Sequence, residues 1–406
     1  MRSLDLRCLL DSRSLITLRQ RLLKWFARHQ RDLPWRHNRD PYRIWISEVM
    51  LQQTTVATVI PRFHQFLQNF PTIHDLARAD EQEVLRAWAG LGYYRRARDL
   101  HRSARWFVEH FETPLPNPSP KRRGAKIAEI SSPPRFGEGP GEGFLDCLLP
   151  DDPAVWEQLP GVGRYIHAAV LSQAFDRRLP IVEANSQRVL CRLFGKAGDP
   201  KSGPVKKWLW ETAAAILPHK KCGDFNQAIM ELGALICTPV SPQCGKCPLA
   251  KCCIAQRDSL QDALPTKSAP IALEEVREVA IVVRRGSKVL LVRRPETGRW
   301  ANMWEFPHAP LEKDESHDQA AKRQIAGLGI TAKFGAELMS VRHAVTRFRI
   351  TMVCFEAIYR SGAFASAYYQ EGRWLEPGEL IGYPVSSPQR KLAEEIARSH
   401  RRQSLF

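Results

Sequence analysis

The sequence predicts a mainly α-helical core followed by a separate α+β domain. Three observations carry this expectation. Apolar residues recur at helix spacing from Leu15 to Phe111 and again from Ala154 to about Ile254, the pattern turns strand-like beyond residue 277, and four cysteines cluster where the helical part ends. A chain of 406 residues with 44% apolar content is longer than one compact core ordinarily fills, so two globular domains agree with its size.

Taken in order, the opening MRSLDLRCLLDSRSLITLRQ breaks its apolar positions with Arg and Asp and offers no secretory leader. No apolar run reaches the roughly 18 residues of a membrane span. Leu18, Leu22, Trp25 and Phe26 mark a first amphipathic helix, and Val56, Val59, Ile60, Phe63, Phe66, Leu67 and Phe70 a later one, which Pro61 is expected to kink or restart. Residues 113–150, rich in Pro, Gly and charge, cannot bury enough apolar surface to offset their ordering entropy and read as a disordered insertion. Helical patterning resumes at Ala154. Residues 256–276 read as an irregular linker, and 277–402 as the second domain. There VREVAIVVRRGSKVLLVRR makes a hairpin about a glycine turn, VRHAVTRFRITMVCFEAIYR further strands, and KLAEEIARSHRR a closing helix.

A formal net charge of +17 favours a polyanionic partner, because each phosphate neutralised by Lys or Arg releases counterions. Nucleic acid is the first choice and a membrane surface the second.

Of ten cysteines, Cys237, Cys244, Cys247 and Cys253 fall within seventeen residues, separated by six, two and five residues. Four thiolates so placed can wrap one metal centre. Zinc sites usually pair two short Cys loops across a longer gap, and the uneven spacing suits a cubane iron–sulfur cluster better. Cys252 adjoins the last of them, and spacing favours Cys253. A structural cluster that holds Lys246 and Lys251 toward a phosphate is preferred to an electron carrier, since the chain shows no flavin or nicotinamide site.

LPGVGRYIHAAVLSQAF opens a helix after a Gly-Val-Gly turn. Gly161 and Gly163 are expected to take positive φ, and the amides of Gly161, Val162 and Gly163 to face a DNA phosphate beside a helix N-terminus.

LPGVG, PIVEANSQRVLCRLFG, FNQAIMELGALICT and the cysteine pattern together resemble the helix–hairpin–helix DNA glycosylase superfamily, in its endonuclease III branch. Within it, RDLPWR, SEVMLQQTTVATVIPRF and GLGYYRRARDLH are similar to the adenine-excising (MutY) family. The resemblance implies a core of two helical subdomains with a [4Fe–4S] loop over 1–255, a base flipped between the halves, and a Nudix-like tail that reads 8-oxoguanine. It also implies double-stranded DNA with A:8-oxoguanine or A:G mismatches as partner, no membrane partner, a monomer, and a cytoplasmic, nucleoid-associated site of action.

The family chemistry needs an acid that protonates the purine at N7 and a carboxylate that stabilises an oxocarbenium-like sugar, a two-carboxylate logic shared with glycoside hydrolysis. Glu48 is the candidate acid, set among Ile44, Trp45, Ile46, Val49, Met50 and Leu51, surroundings that favour its neutral form. Glu183 is the candidate carboxylate, although the family usually has Asp there and Gly at the place of Ala184; Asn185 would orient the carboxylates. Where lyase relatives carry a nucleophilic Lys this chain has Tyr165, which cannot form a Schiff base, so the reading is a monofunctional glycosylase. Trp35, Arg36 and Gln227 resemble the adenine pocket, and Gln53 and Tyr93 the wedge that fills the vacated stack.

In the tail, Ala326 and Gly327 stand where a Nudix hydrolase needs its acids, so hydrolase activity is not expected. Val345, Thr346 and Arg347 replace the usual Phe-Ser-His recognition loop; Thr346 keeps a hydroxyl for the purine, and a weaker preference for 8-oxoguanine is expected. Three alternatives remain: a glycosylase/lyase for oxidised pyrimidines, a non-enzymatic DNA-binding iron–sulfur module, and a zinc-binding nucleic-acid module.

Overall fold

The computed structural model describes residues 12–111, 149–266, 272–345 and 347–403. Most of the expected insertion, part of the linker and Thr346 lie outside these residues. The helical part comprises α1 (Ser12–His29), α2 (Pro41–Leu51), α3 (Val56–Asn69), α4 (Ile73–Arg78), α5 (Glu81–Ala87), α6 (Arg95–Phe111), α7 (Pro153–Trp156), α8 (Arg164–Phe175), α9 (Ala184–Leu193), α10 (Gly203–Ile216), α11 (Cys222–Leu235) and α12 (Ile254–Arg257).

Local chemistry sets many of these boundaries. Asp40 caps α2 by accepting from the Tyr42 and Arg43 amides, with Pro41 at the first helical position, where its missing N–H costs nothing. Thr72 and Asp75 form a reciprocal capping box on α4, as Asp80 and Glu83 do on α5. Pro61 neither ends nor restarts α3, contrary to expectation; the helix continues from Val56 to Asn69, begun by the Thr55 cap. Val59, Phe63 and Phe66 bury one face of it, and that packing outweighs the one backbone bond that proline removes.

The helices divide into two cores. The first gathers Trp45, Met50, Phe63, Phe66, Trp88, Phe107, Trp156 and Leu171. The second combines Leu18, Leu22, Trp25 and Phe26 of α1 with Leu190, Leu209, Phe225 and Leu232. The N-terminal helix therefore packs with the C-terminal part of the helical region, and the chain crosses between cores after α1 and again near α9. Leu149 and Pro150, assigned by sequence to the insertion, belong to the fold: Leu149 is buried in the first core, and the Pro150 carbonyl accepts from Trp156 Nε1 at 2.7 Å.

The tail is a seven-stranded mixed sheet of β1 (Glu274–Arg285), β2 (Lys288–Arg293), β3 (Trp304–Glu305), β4 (His308–Pro310), β5 (Ile330–Val345), β6 (Phe348–Gly362) and β7 (Glu371–Leu375). Its main path runs β3-β2-β1-β6-β5, with β1 and β6 parallel. The first strand begins at Glu274, three positions before the boundary read from sequence, because its register with β6 already starts at Glu274↔Phe348. Gly286, at φ 60°, makes the expected turn between β1 and β2. Helices α13 (His317–Ala326) and α14 (Ser387–Gln403) cover opposite faces of the sheet, each with its own apolar cluster. The expected linker is more ordered than its composition suggests: the buried Leu264 offers its carbonyl to Arg192 Nε at 2.9 Å.

The tail docks on the first helical core. Met303 is buried in that core, Trp300 packs against it, Gln82 Nε2 donates to the Asn302 carbonyl, Trp304 Nε1 to Gln82 Oε1, and the Tyr94 hydroxyl to the Val385 carbonyl at 3.2 Å. No helix of the described residues is long and apolar enough to cross a membrane.

Candidate active site

Glu48 lies on α2, facing inward and only 4% exposed. The Tyr165 hydroxyl donates to its Oε2 at 2.7 Å and Gln173 Nε2 to its Oε1 at 2.8 Å, both from α8. Burial holds the Glu48 carboxyl above the usual carboxylate range; these two hydrogen bonds oppose the shift, and the negative charge of Glu183 adds to it. Burial and the same carboxylate keep the Tyr165 phenol protonated, well above its ordinary value.

Glu183 stands across from this group as the N-cap of α9. Its Oε2 accepts from the Asn185 amide at 2.8 Å and from Asn185 Nδ2 at 3.2 Å, and its Oε1 from the Ser186 amide at 2.7 Å. Ser186 Oγ returns a bond from the Glu183 amide, closing a capping box. Burial raises the Glu183 carboxyl, while the two backbone N–H groups and Arg188 draw it back down. Since Glu183 acts on both Glu48 and Tyr165 through its charge, the three groups form one electrostatic unit assembled from both helical cores.

Asn185 reaches Glu183 only; Gln173 and Tyr165 are what hold Glu48. Asn185 in turn accepts from Arg188 Nη2 at 2.8 Å, and Arg188 also binds the Gly233 and Cys237 carbonyls. The approach is close: a Cβ on Gly233 would stand 2.6 Å from the Asn185 Cβ, so α11 carries glycine here. Sequence reading missed Gln173 and Arg188. Gln173 follows Tyr165 by eight positions, two turns along the same helix face, a spacing that could have exposed it. Arg188 left a weaker signal: Asn185 precedes it by three positions on the same helix, but its Gly233 and Cys237 partners lie on other elements.

Arg36 is held by protein. It donates to Glu231 Oε2 at 3.0 Å and to the Arg31 carbonyl at 3.1 Å, and Arg31 shares Glu231, which is 1% exposed. Burial alone would raise the Glu231 carboxyl, but the two arginines outweigh it and bring it to about 2. Arg36 still lies near enough to Glu48 to act on its charge. Trp35 is 4% exposed and packs edge-to-face on Phe63 at 5.4 Å, so only its margin would meet a base. Gln227 is half-buried on α11.

Gln53 and Tyr93, by contrast, are exposed, and both adopt left-handed backbone, at φ 56° and 47°. They project from two turns that meet through a bond from Thr54 Oγ1 to the Leu91 carbonyl at 3.4 Å.

The hairpin differs in part from expectation. Gly161 has φ 73°, and a Cβ there would lie 2.7 Å from the Asp99 Cβ. Gly163 has φ −88° and is the N-cap of α8, so positive φ is required only at Gly161. Val162 is buried, and its amide donates to the Leu159 carbonyl at 3.2 Å.

Cys237, Cys244, Cys247 and Cys253 line one small cavity together with Arg192 and Ala250. Arg192 Nη1 lies 3.4 Å from Cys237 Sγ and also binds the Thr238 carbonyl. Cys252 is exposed and outside the cavity lining, and its thiol meets the Leu249 carbonyl. Lys246 and Lys251 are exposed on either side. In the tail, Val345 pairs with Phe348, Arg347 lies 3.7 Å from Glu274 and over the Phe348 ring, and Thr346 lies outside the described residues.

Both parts of the chain are similar to known proteins. Residues 46–215 match the profile of the HhH-GPD superfamily base excision DNA repair proteins, and 278–395 that of the NUDIX domain. The adenine DNA glycosylase of Rattus norvegicus is 32% identical over 97% of this chain and 80% of its own length. The human adenine DNA glycosylase is 30% identical over 94% of this chain and 74% of its own. That of Buchnera aphidicola (subsp. Schizaphis graminum) is 32% identical over 71% of this chain and 74% of its own.

Proposed function

The chain belongs to the adenine DNA glycosylase family, hydrolases of N-glycosyl bonds, and from that premise we propose that it is a monofunctional glycosylase excising adenine mispaired with 8-oxoguanine or guanine. The observation that carries this reading is the pairing of a buried, proton-holding Glu48 with a helix-capping Glu183 across the junction of the two helical cores.

Glu48 gives its proton to N7 of the extruded adenine, and the C1′–N9 bond breaks with its electron pair moving into the base. Glu183 in its ionised form, its charge met by the Asn185 and Ser186 amides and by Asn185 Nδ2, stabilises the positive charge that develops on the sugar. Water then adds to C1′ and gives a proton back to the Glu48 carboxylate, leaving free adenine, an abasic site and the acid restored. Tyr165 fixes the Glu48 carboxyl and supplies no amine for a covalent intermediate, which supports monofunctional chemistry. Trp35, Arg36 and Gln227 border the pocket, and Gly161 and Gly163 present the hairpin to a phosphate.

The four cysteines fit a [4Fe–4S] cluster: all four line one cavity beside Arg192, so that each could supply a thiolate to one iron. Cys253, not Cys252, faces that cavity. When bound, the cluster would tie the loop of Lys246 and Lys251 to the second core. The tail, docked through Trp300 and Met303, would read the base opposite adenine, with Thr346 its hydroxyl donor. The enzyme is assigned to act as a monomer on cytoplasmic, nucleoid DNA.

The test is strand cleavage by alkali after incubation with a duplex containing one A:8-oxoguanine pair, run beside Glu48→Gln. Cleavage by the native chain, none by the variant, and no borohydride-trapped adduct are expected. An efficient covalent adduct would replace this reading with glycosylase/lyase chemistry.

A further inference from the structure

Arg96, near the start of α6, occupies a position with no counterpart among the other described arginines. Its Nη1 donates to three carbonyls at the end of α2: Val49 at 2.8 Å, Met50 at 3.0 Å, and Gln52. Its Nη2 donates to Thr54 Oγ1 at 3.2 Å on the same turn, and to the Leu91 and Gly92 carbonyls at 2.9 and 3.1 Å on the turn before α6. The guanidinium also lies over the Tyr93 ring at 5.6 Å and the Trp88 ring at 5.5 Å.

One planar fork thus joins two separate turns, each of which projects a single exposed residue, Gln53 and Tyr93. Both residues sit in left-handed backbone that an ordinary side chain seldom adopts, so each turn needs support from outside itself. The bonds to Gln52, Thr54 and Gly92 fall on the immediate neighbours of those two strained residues. A lysine could not replace this arrangement, since a point ammonium cannot serve both turns through rigidly spaced donors.

We propose that Arg96 is a positioning residue for base extrusion: it locks the Gln53 and Tyr93 turns at fixed separation, so that both side chains enter the duplex together and fill the space the adenine leaves. This rests on the excision reading above. Extrusion costs a few kcal/mol and is easiest where the base is already unstacked. Loss of the lock should therefore penalise a fully stacked substrate far more than a loosened one.

The experiment compares native chain, Arg96→Lys and Thr54→Val, the last removing only one hydroxyl that Arg96 reaches. Single-turnover excision is measured on an A:8-oxoguanine duplex and on a duplex carrying the same adenine in a bulge. Fluorescence of 2-aminopurine placed beside the adenine reports unstacking on binding, independently of excision. Arg96→Lys should slow the stacked substrate at least about tenfold more than the bulged one and abolish the fluorescence rise, with Thr54→Val showing a smaller bias of the same sign. Equal slowing on both substrates would instead place the action of Arg96 on α2 and Glu48, and overturn the proposal, as would an unchanged fluorescence rise. Should the native chain excise adenine from neither duplex, the functional reading fails, and the fluorescence comparison still decides the lock.

Discussion

A carboxyl serves as an acid near neutral pH only if something makes its ionisation unfavourable, and at Glu48 that is first the absence of water, then the nearby charge of Glu183. Burial raises both carboxyls, and the proposed roles require Glu183 to lose its proton before Glu48. The excision rate should therefore follow a bell: falling at acid pH as Glu183 becomes neutral, and at alkaline pH as Glu48 loses its proton through its raised value. Stability carries the same signature. A group whose folded pKa lies above its unfolded one stabilises the fold below the unfolded value, and that contribution is lost as pH rises through the folded value. Glu48→Gln should thus lose excision by at least about a thousandfold, yet melt above the native chain at alkaline pH and close to it near pH 4, since the ordinary value is 4.5. A melting difference independent of pH would show that Glu48 does not titrate within the fold. Glu48 was singled out through the family resemblance, and its apolar neighbours agreed with the burial found. Its partner Gln173 was not singled out, because a glutamine on a helix carries no chemical mark until the residue it faces is known.

At the scale of an element, the hairpin shows how backbone requirements and side-chain packing combine. Gly161 is there for two reasons, a positive φ and the nearby Asp99 side chain. Gly161→Ala should cost about 1–3 kcal/mol in melting experiments, the range for a strained backbone position. It should also weaken binding to undamaged duplex without changing the rate of excision from saturated complex. Equal melting temperatures for the two proteins would contradict the crowding described. The LPGVG motif revealed the turn but not its details: identity alone cannot say which glycine takes the left-handed conformation, and Gly163 turned out to be an extended helix cap. Pro61 teaches the converse. Its local effect predicted a kink or a restart, whereas one helix runs from Val56 to Asn69 without restarting, its apolar face of Val59, Phe63 and Phe66 buried. Arg188 and Arg96 were not singled out in sequence because each works mainly by joining elements far apart in the chain.

For the whole molecule, the division into helical core and sheet-bearing tail was legible from the change of hydrophobic period, and the cysteine cluster from spacing alone. The return of α1 to the second core was not, since periodicity tells which face of a helix is apolar but not against what it packs. Nor was the junction between the domains. Met303 supplies a fully buried side chain there, with Trp300 and a few polar bonds around it. Met303→Ala, a core truncation costing about 2–5 kcal/mol, should loosen the tail before it unfolds either part. Limited proteolysis between the two domains should quicken severalfold, and any preference for 8-oxoguanine over guanine should diminish while adenine removal from an A:G duplex persists. Unchanged proteolysis would mean the polar bonds alone suffice.

In the proposed mechanism the proton donor and the charge-stabilising group hang from different hydrophobic cores, Glu48 held by Tyr165 and Glu183 by the cap of α9. Any hinge-like parting of the two halves would silence hydrolysis while leaving each half folded, and only a substrate gripped on both sides would restore register between them. Fidelity toward the many correctly paired adenines of a genome would then be partly mechanical: a nucleotide that fails to draw the halves together never meets both reagents at once.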